Sequence, residues 1–187
     1  MLVLLSGVSG SGKDTIKKEL IKRMENVVSL PSFTDRNPRE GEVDGQAYCF
    51  VTTQEFKKMI ENNELYEYDI HHNHYYGTSK KFMNEKIKSG KVIVKDIDVN
   101  GVENLIKILK DEVKLVTIFL RVSKDELKRR IKNRDVNISE KELNLRLSRL
   151  DYEESKMDMY DFVIENYNLE NTLKKIINII EEQKENK

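Results

Sequence analysis

The sequence predicts one three-layer α/β domain with a mostly parallel sheet covered by helices on both faces. Three observations predict it. Short apolar runs alternate with amphipathic stretches of helical length, and the first run stops at a glycine-rich loop that leads directly into a helix. The chain has 187 residues and no Pro/Gly/Ser-rich linker, which suits a single well-buried domain. Strands separated by helices of this length require right-handed crossovers, hence parallel neighbours and helices over the sheet.

Leu2–Leu5 reads as a buried strand. After the glycine loop, Ile16, Leu20, Ile21 and Met24 recur at helical spacing. Tyr48–Val51 is a short strand-like piece, and Thr52 with Glu55 forms a capping box before Phe56, Met59 and Ile60. Val92–Val94 is a second buried strand that ends in Asp96-Ile97-Asp98. Gly101 follows, then a helix with Val102, Leu105, Ile106 and Leu109 on one face. Leu115–Val122 is a third strand. Capping boxes at Ser123/Glu126 and Ser139/Glu142 open two helices, one carrying Leu127 and Ile131, the other Leu143, Leu147 and Leu150. Phe162–Ile164 is the last strand, and Leu173, Ile176, Ile177 and Ile180 line the closing helix, whose end from Glu181 to Lys187 is charged.

Lys+Arg and Asp+Glu are both 33, which argues against a general nucleic-acid binder, with its basic excess, and leaves room for a basic patch that takes a small anionic ligand. No apolar run approaches the ~20 residues that span a bilayer, and Leu2–Leu5 is too short for a signal-peptide core. The single cysteine, Cys49, excludes an internal disulfide and a Cys-cluster zinc site. It is expected to pack as a small hydrophobe in a cytosolic protein without membrane or nucleic-acid partners, either a monomer or a homodimer.

Gly7-Val8-Ser9-Gly10-Ser11-Gly12-Lys13 matches G-x-x-x-x-G-K between a strand and a helix. Such a turn aims successive backbone N–H groups at one point, and the helix N-terminus adds partial positive charge. Lys13 supplies a mobile charge for the outer phosphates of a nucleotide, with Gly7–Thr15 as the binding segment. Where Ser or Thr normally follows the lysine and binds Mg²⁺, this chain has Asp14, then Thr15. Asp14 has two readings: a metal ligand, directly or through water, or a first-turn carboxylate favoured by the helix dipole.

The run Ser32-Phe33-Thr34-Asp35-Arg36-Asn37-Pro38-Arg39-Glu40-Gly41-Glu42-Val43-Asp44-Gly45 has two readings, a second anion pocket or a solvated charged face. Two arginines three apart, near hydroxyls and an extended Pro-containing stretch, can form a phosphate cup. Glu67 and Tyr75-Tyr76-Gly77-Thr78 follow.

With these segments, and with Glu55–Phe56 and Asp96-Ile97-Asp98 before Gly101, the chain resembles the guanylate kinase family nearly end to end. The resemblance implies a P-loop NTPase core (about 1–31, 91–122 and 158–187), a nucleoside monophosphate-binding insertion (about 32–90) and a mobile lid (about 123–157). It implies Mg²⁺-dependent transfer of the ATP γ-phosphoryl group to GMP, giving ADP and GDP, in purine nucleotide metabolism. By the same resemblance Ser32, Arg36, Arg39, Tyr48 and Tyr76 are ligands of the GMP phosphate, and Glu67, Thr78 and Asp98 face guanine. The chemistry agrees: one carboxylate accepts from the adjacent N1–H and N2–H₂ donors of guanine, a hydroxyl can donate to O6, and adenine presents an acceptor where Glu67 needs a donor. Asp96, at the end of a buried strand where such sheets place ligands, resembles the acid that orients Mg²⁺ through water. Arg130, Arg134 and Arg146 are the lid arginines expected to neutralise charge on the transferring group beside Lys13. The segment Asp135–Ser139 lacks the family's glycine-rich opening.

Lys95 is unexpected in an apolar strand. His71, His72 and His74 read as a polar loop beside the nucleotide rather than a metal site, and Met157, Met159 and Tyr160 as core or helix end. Two other functions are open to the same framework: a kinase for another phosphorylated acceptor, such as a ribose bisphosphate precursor, and a catalytically silent module that binds phosphopeptides. Glu67 and Thr78 weigh against the first, and the intact P-loop against the second.

Overall fold

The computed structural model describes residues 1–71, 73–134, 136 and 138–185, with the backbone alone at His71 and Arg134. In chain order the elements are β1 (Leu2–Ser6), α1 (Lys13–Arg23), β2 (Val27–Ser29), β3 (Ser32–Thr34), β4 (Tyr48–Phe50), α2 (Thr53–Glu61), β5 (Leu65–His71), β6 (His74–Ser79) and α3 (Lys80–Lys88). Then come β7 (Val92–Asp96), α4 (Val99–Leu109), β8 (Leu115–Arg121), α5 (Lys124–Arg134), α6 (Glu140–Glu154), a 3₁₀ turn at Met157–Met159, β9 (Phe162–Glu165) and α7 (Leu169–Glu185). Among the described residues the strands form a five-stranded sheet of order β2-β7-β1-β8-β9 and a four-stranded sheet of order β4-β3-β6-β5. The first is the mostly parallel sheet expected for this pattern of apolar runs and helices. No helix among the described residues is long and apolar enough to cross a membrane.

The chain divides into two compact units. One comprises Met1–Val3, Asn26–Lys95 and Asn100–Leu115. In it β2 runs parallel to β7, with Val27 opposite Val92 and Ser29 opposite Val94. It also holds the small sheet, in which β3 pairs parallel with β4, and β6 pairs antiparallel with both β3 and β5. Phe56 of α2 is fully buried under this sheet. Its ring stacks on Tyr75 at 5.1 Å, and a Cβ at Gly77 would lie 2.9 Å from it, so glycine lets the helix ring reach the strand. The Thr52 capping box is complete: the Glu55 N–H donates to the Thr52 hydroxyl (3.2 Å), and the Thr52 N–H donates to the Glu55 carboxylate (2.7 Å). α4 begins at Val99, before Gly101, because Val99 and Val102 are both buried and start its apolar stripe ahead of the glycine.

The other unit comprises Leu4–Glu25, Asp96–Val99 and Val116–Lys187. β8 and β9 run parallel from Ile118/Phe162 to Arg121/Glu165, and the Ile97 N–H donates to the Leu5 carbonyl at 3.0 Å. Ile16 and Leu20 of α1, and Leu173, Ile176 and Ile180 of α7, are fully buried; each such side chain stabilises the fold by roughly 1.5–3 kcal/mol relative to exposure. The apolar faces of α5 and α6 share a cluster with Val8 of the glycine loop: Leu127, Ile131, Leu143, Leu147 and Leu150. Ser123 and Ser139 accept the Glu126 and Glu142 N–H groups at 3.4 and 3.2 Å. The reciprocal half of each expected box goes elsewhere: Glu126 holds Arg129 and Arg130, and Glu142 holds Arg146. Charge-assisted bonds to a guanidinium outcompete a neutral N–H.

Candidate active site

The phosphate loop joins the buried strand β1 to α1 through three glycines with positive φ: Gly7 (134°), Gly10 (93°) and Gly12 (98°). Two of these cannot carry a side chain. A Cβ at Gly7 would strike the Leu120 carbonyl oxygen, and one at Gly12 would lie 2.7 Å from the Asn166 amide nitrogen. Lys13 opens the helix and lies along the loop, donating to the Gly7 and Val8 carbonyls. The loop forms one wall of a cavity of about 540 Å³ that Lys13, Asp14, Thr15, Asp96, Arg130 and Asn166 also line.

Asn166, just past β9, ties this wall together. Its side-chain amide donates to the Ser11 carbonyl at 2.7 Å, and its own carbonyl accepts from Arg130 at 2.6 Å. Arg130 also bonds Glu126 at 2.7 Å, so its guanidinium is aimed into the cavity by two fixed acceptors. The Glu126 carboxylate is pulled down to a pKa of about 2, first by Arg129 and then by Arg130. Of the other expected lid arginines, Arg146 is held by Glu142 and is not among the cavity's lining residues. Arg134 closes α5, and its side chain lies outside the described residues.

The two carboxylates expected to serve a metal both face this cavity, and both have lysine partners. Asp14 is exposed in the first turn of α1 and pairs with Lys18 at 2.8 Å. Asp96, at the carboxyl end of β7, pairs with the buried Lys17 at 2.5 Å. Two oxygen donors beside a phosphate loop fit Mg²⁺, which is commonly held by one or two carboxylates together with substrate phosphates. Asp98 follows on the link to α4 and lies in the electrostatic range of Tyr160, whose hydroxyl is pushed up by burial, with the charges of Glu153 and Asp98 adding to the shift.

In the other unit lies Arg36, the first arginine of the expected cup. This side chain is 7% exposed, and its two terminal nitrogens each donate to a Glu42 oxygen at 2.7 Å. It lies over the Tyr48 ring at 4.7 Å and the Phe50 ring at 5.4 Å, and the Tyr48 and Tyr76 rings meet at 6.0 Å. Glu42 also accepts the Arg39 N–H at 2.8 Å. Arg36 first, then that N–H, brings the Glu42 carboxyl down to about 2. Arg39 itself is exposed. Ser32, at the start of β3 and opposite Tyr48, accepts from Lys95 at 2.6 Å.

Glu67 reaches its position through a β-bulge. The register of β5 on β6 shifts between Leu65, opposite Ser79, and Glu67, opposite Thr78. In an unbroken ladder Tyr66 would stand across from Thr78; the extra residue puts the carboxylate there instead. The Thr78 hydroxyl, fully buried, donates to Glu67 Oε1. Sequence chemistry expects that hydroxyl to donate to a guanine oxygen; here its proton is directed at the carboxylate.

Some side chains that pair with the candidate residues carry no signal in the sequence. Glu42 stands in the motif that supplies both arginines, Asn166 is a polar residue closing an apolar strand, and Lys17 is a lysine on the apolar stripe Ile16–Leu20. Asp35, between Thr34 and Arg36, is a hub that accepts from Thr53 (2.7 Å) and from the Tyr75 N–H (2.8 Å) and faces His74 at 3.3 Å. Burial raises its pKa, but these bonds outweigh it and the net shift is downward. His72 lies outside the described residues, as does the side chain of His71. Cys49 and Tyr160 pack in the interior.

A family model described as guanylate kinase matches residues 1–183. The guanylate kinase of Prochlorococcus marinus subsp. pastoris is 36% identical over 179 residues, covering 96% of each chain. That of Rickettsia typhi is 39% identical over 181 residues, covering 96% of this chain and 90% of its own. The crystal structure of guanylate kinase from Anaplasma phagocytophilum superposes with a TM-score of 0.78 at 29% identity, covering 98% of this chain and 85% of that one.

Proposed function

Because the chain belongs to the guanylate kinase family, and so transfers the γ-phosphoryl group of ATP to GMP, we propose how its own residues divide that work. The P-loop from Gly7 to Thr15 holds the donor phosphates, Lys13 and Arg130 bring positive charge to the group in transit, and Arg134 and Arg146 belong to the same helical pair. Ser32, Arg36, Arg39, Tyr48 and Tyr76 hold the acceptor phosphate, while Glu67, Thr78 and Asp98 read guanine.

The observation that carries the choice of acceptor is the Glu67–Thr78 pair on the bulged hairpin. A carboxylate fixed by a buried hydroxyl presents an acceptor to the N1–H and N2–H₂ edge of guanine. Adenine would leave that carboxylate without a donor, a mismatch worth several orders of magnitude in a site built for hydrogen bonds.

The transfer itself asks little covalent chemistry of the protein. An oxygen of the GMP phosphate attacks the γ-phosphorus, the bond from that phosphorus to the β-bridging oxygen breaks, and ADP leaves with the electron pair. The acceptor phosphate is already a nucleophile at neutral pH, so no general base is required. Positioning and electrostatic stabilisation do the work. Glu42 holds Arg36 in one orientation before substrate arrives, which lowers the ordering cost of binding. Asp14 and Asp96 would hold Mg²⁺. When bound, the ion would supply positive charge against the substrate phosphates. Small soluble nucleotide substrates and the single buried cysteine support a cytoplasmic setting.

Release of ADP from ATP, measured in the presence of GMP, dGMP, AMP, UMP and ribose phosphates in turn, tests this reading. Turnover with the guanine nucleotides alone is the expected result; equal turnover with AMP would remove Glu67 from its role.

A further inference from the structure

Lys95 stands one residue before the end of β7, after the apolar run Val92–Val94 and before Asp96. Ile93 and Val94 are fully buried in β7, and so is Lys95 itself, at 0% exposure. An ammonium withdrawn from water to this extent is costly unless fixed acceptors replace its hydration. One of these is the hydroxyl of Ser32, 63 residues earlier, with 2.6 Å between Nζ and Oγ.

The direction of that bond follows from the inventory of the two groups. A lysine ammonium has donors only, whereas a serine hydroxyl has one proton and two lone pairs. Ser32 must therefore accept from Lys95, and its single proton is turned away to an acceptor elsewhere. The Ser32 N–H is already committed to the Ala47 carbonyl at 3.2 Å, and Tyr48 stands opposite Ser32 on β4, so the hydroxyl sits on the strand pair that carries the aromatic floor of the arginine cup.

We infer that Lys95 is a positioning residue for the acceptor phosphate: by donating to Ser32 it makes that hydroxyl an obligate, charge-polarised donor to the phosphate of the nucleoside monophosphate. This rests on Ser32 being a phosphate ligand, as proposed above. A polarised donor bonds a phosphate dianion more strongly than a freely rotating hydroxyl does. It also disfavours any acceptor that would need Ser32 to accept in turn.

The test compares GMP with guanosine, which lacks the phosphate, by calorimetric titration of the unmodified chain and of Lys95→Met, Ser32→Ala and the double variant. Lys95→Met should weaken GMP binding by about tenfold or more and leave guanosine and ATP binding unchanged. In the Ser32→Ala chain the same change should cost at most about twofold, because its route is gone. Equal losses for GMP and guanosine, no loss for GMP, or full additivity of the two substitutions would overturn the inference. If instead the unmodified chain and Ser32→Ala bind GMP equally, it is the assignment of Ser32 to the phosphate that fails. Should Lys95→Met not fold, the ¹⁵N-lysine spectrum of the native chain decides. The protected Lys95 ammonium signal, identified by its displacement in Ser32→Ala, should move on adding GMP and stay in place with guanosine. A signal that responds to both or to neither contradicts the proposal.

Discussion

Lys17 and Asp96 form an ion pair with 2.5 Å between Nζ and Oδ1, the lysine 3% exposed and the carboxylate 22%. Lys17 lies one helical turn past Lys13 on α1, so the acid at the end of β7 is tied to the helix that opens at the phosphate loop. Removing one member of such a pair strands the other charge in a poorly hydrated place, whereas removing both is often close to neutral.

Asp96 should therefore show two separable contributions. Asp96→Asn is expected to lower stability by about 2–4 kcal/mol in urea titrations and turnover by about a hundredfold or more. Adding Lys17→Met should restore most of the stability and none of the turnover. A double variant that regains both would mean that Asp96 serves only to pair Lys17.

Glu42 makes stability depend on pH in a definite window. Its carboxyl is held at about 2 in the folded chain against 4.5 ordinarily, chiefly by Arg36. The folded state thus binds the carboxylate form preferentially. Its contribution is fully present above about pH 5 and declines as pH falls towards about 2. The stability difference between the native chain and Glu42→Gln, followed by chemical denaturation, should be constant at neutral pH and shrink on acidification through that range. A difference that grows on acidification would contradict the pairing.

Glycine substitutions should separate site geometry from ordinary backbone strain. Gly7→Ala combines a φ of 134° with a clash on the Leu120 carbonyl, a backbone atom that cannot turn aside. It should cost about 2–4 kcal/mol and abolish ATP binding. Gly90→Ala, also at positive φ but facing open space, should cost about 1 kcal/mol and leave nucleotide affinity untouched. Thermal melts with and without ATP distinguish the two.

The phosphate loop was fully legible because its function lies in contiguous residues: an apolar strand, three glycines and a lysine. The arginine cup was legible as a motif, but its internal wiring was not. That Glu42 grips Arg36 depends on a loop closing over six residues, and nothing in the residue types says which acid an arginine will choose. Lys95 reads as a misfit on an apolar strand and Lys17 carries no signal, since their partners Ser32 and Asp96 lie 63 and 79 residues away. The bulge that turns Glu67 towards Thr78 leaves no trace in the alternation of β5. At Glu126 and Glu142 the capping pattern was correct for the serine and misleading for the carboxylate, because arginines one turn on in the same helices compete for it.

Glu67→Gln gives the most direct measurement of the central claim, that a carboxylate fixed opposite Thr78 selects guanine. The amide keeps the shape and loses the second acceptor. Steady-state ADP release should show kcat/KM for GMP reduced by about 10²–10⁴-fold, with KM for ATP within about twofold of the native chain. Unchanged use of GMP, or a parallel loss of ATP affinity, would contradict the account.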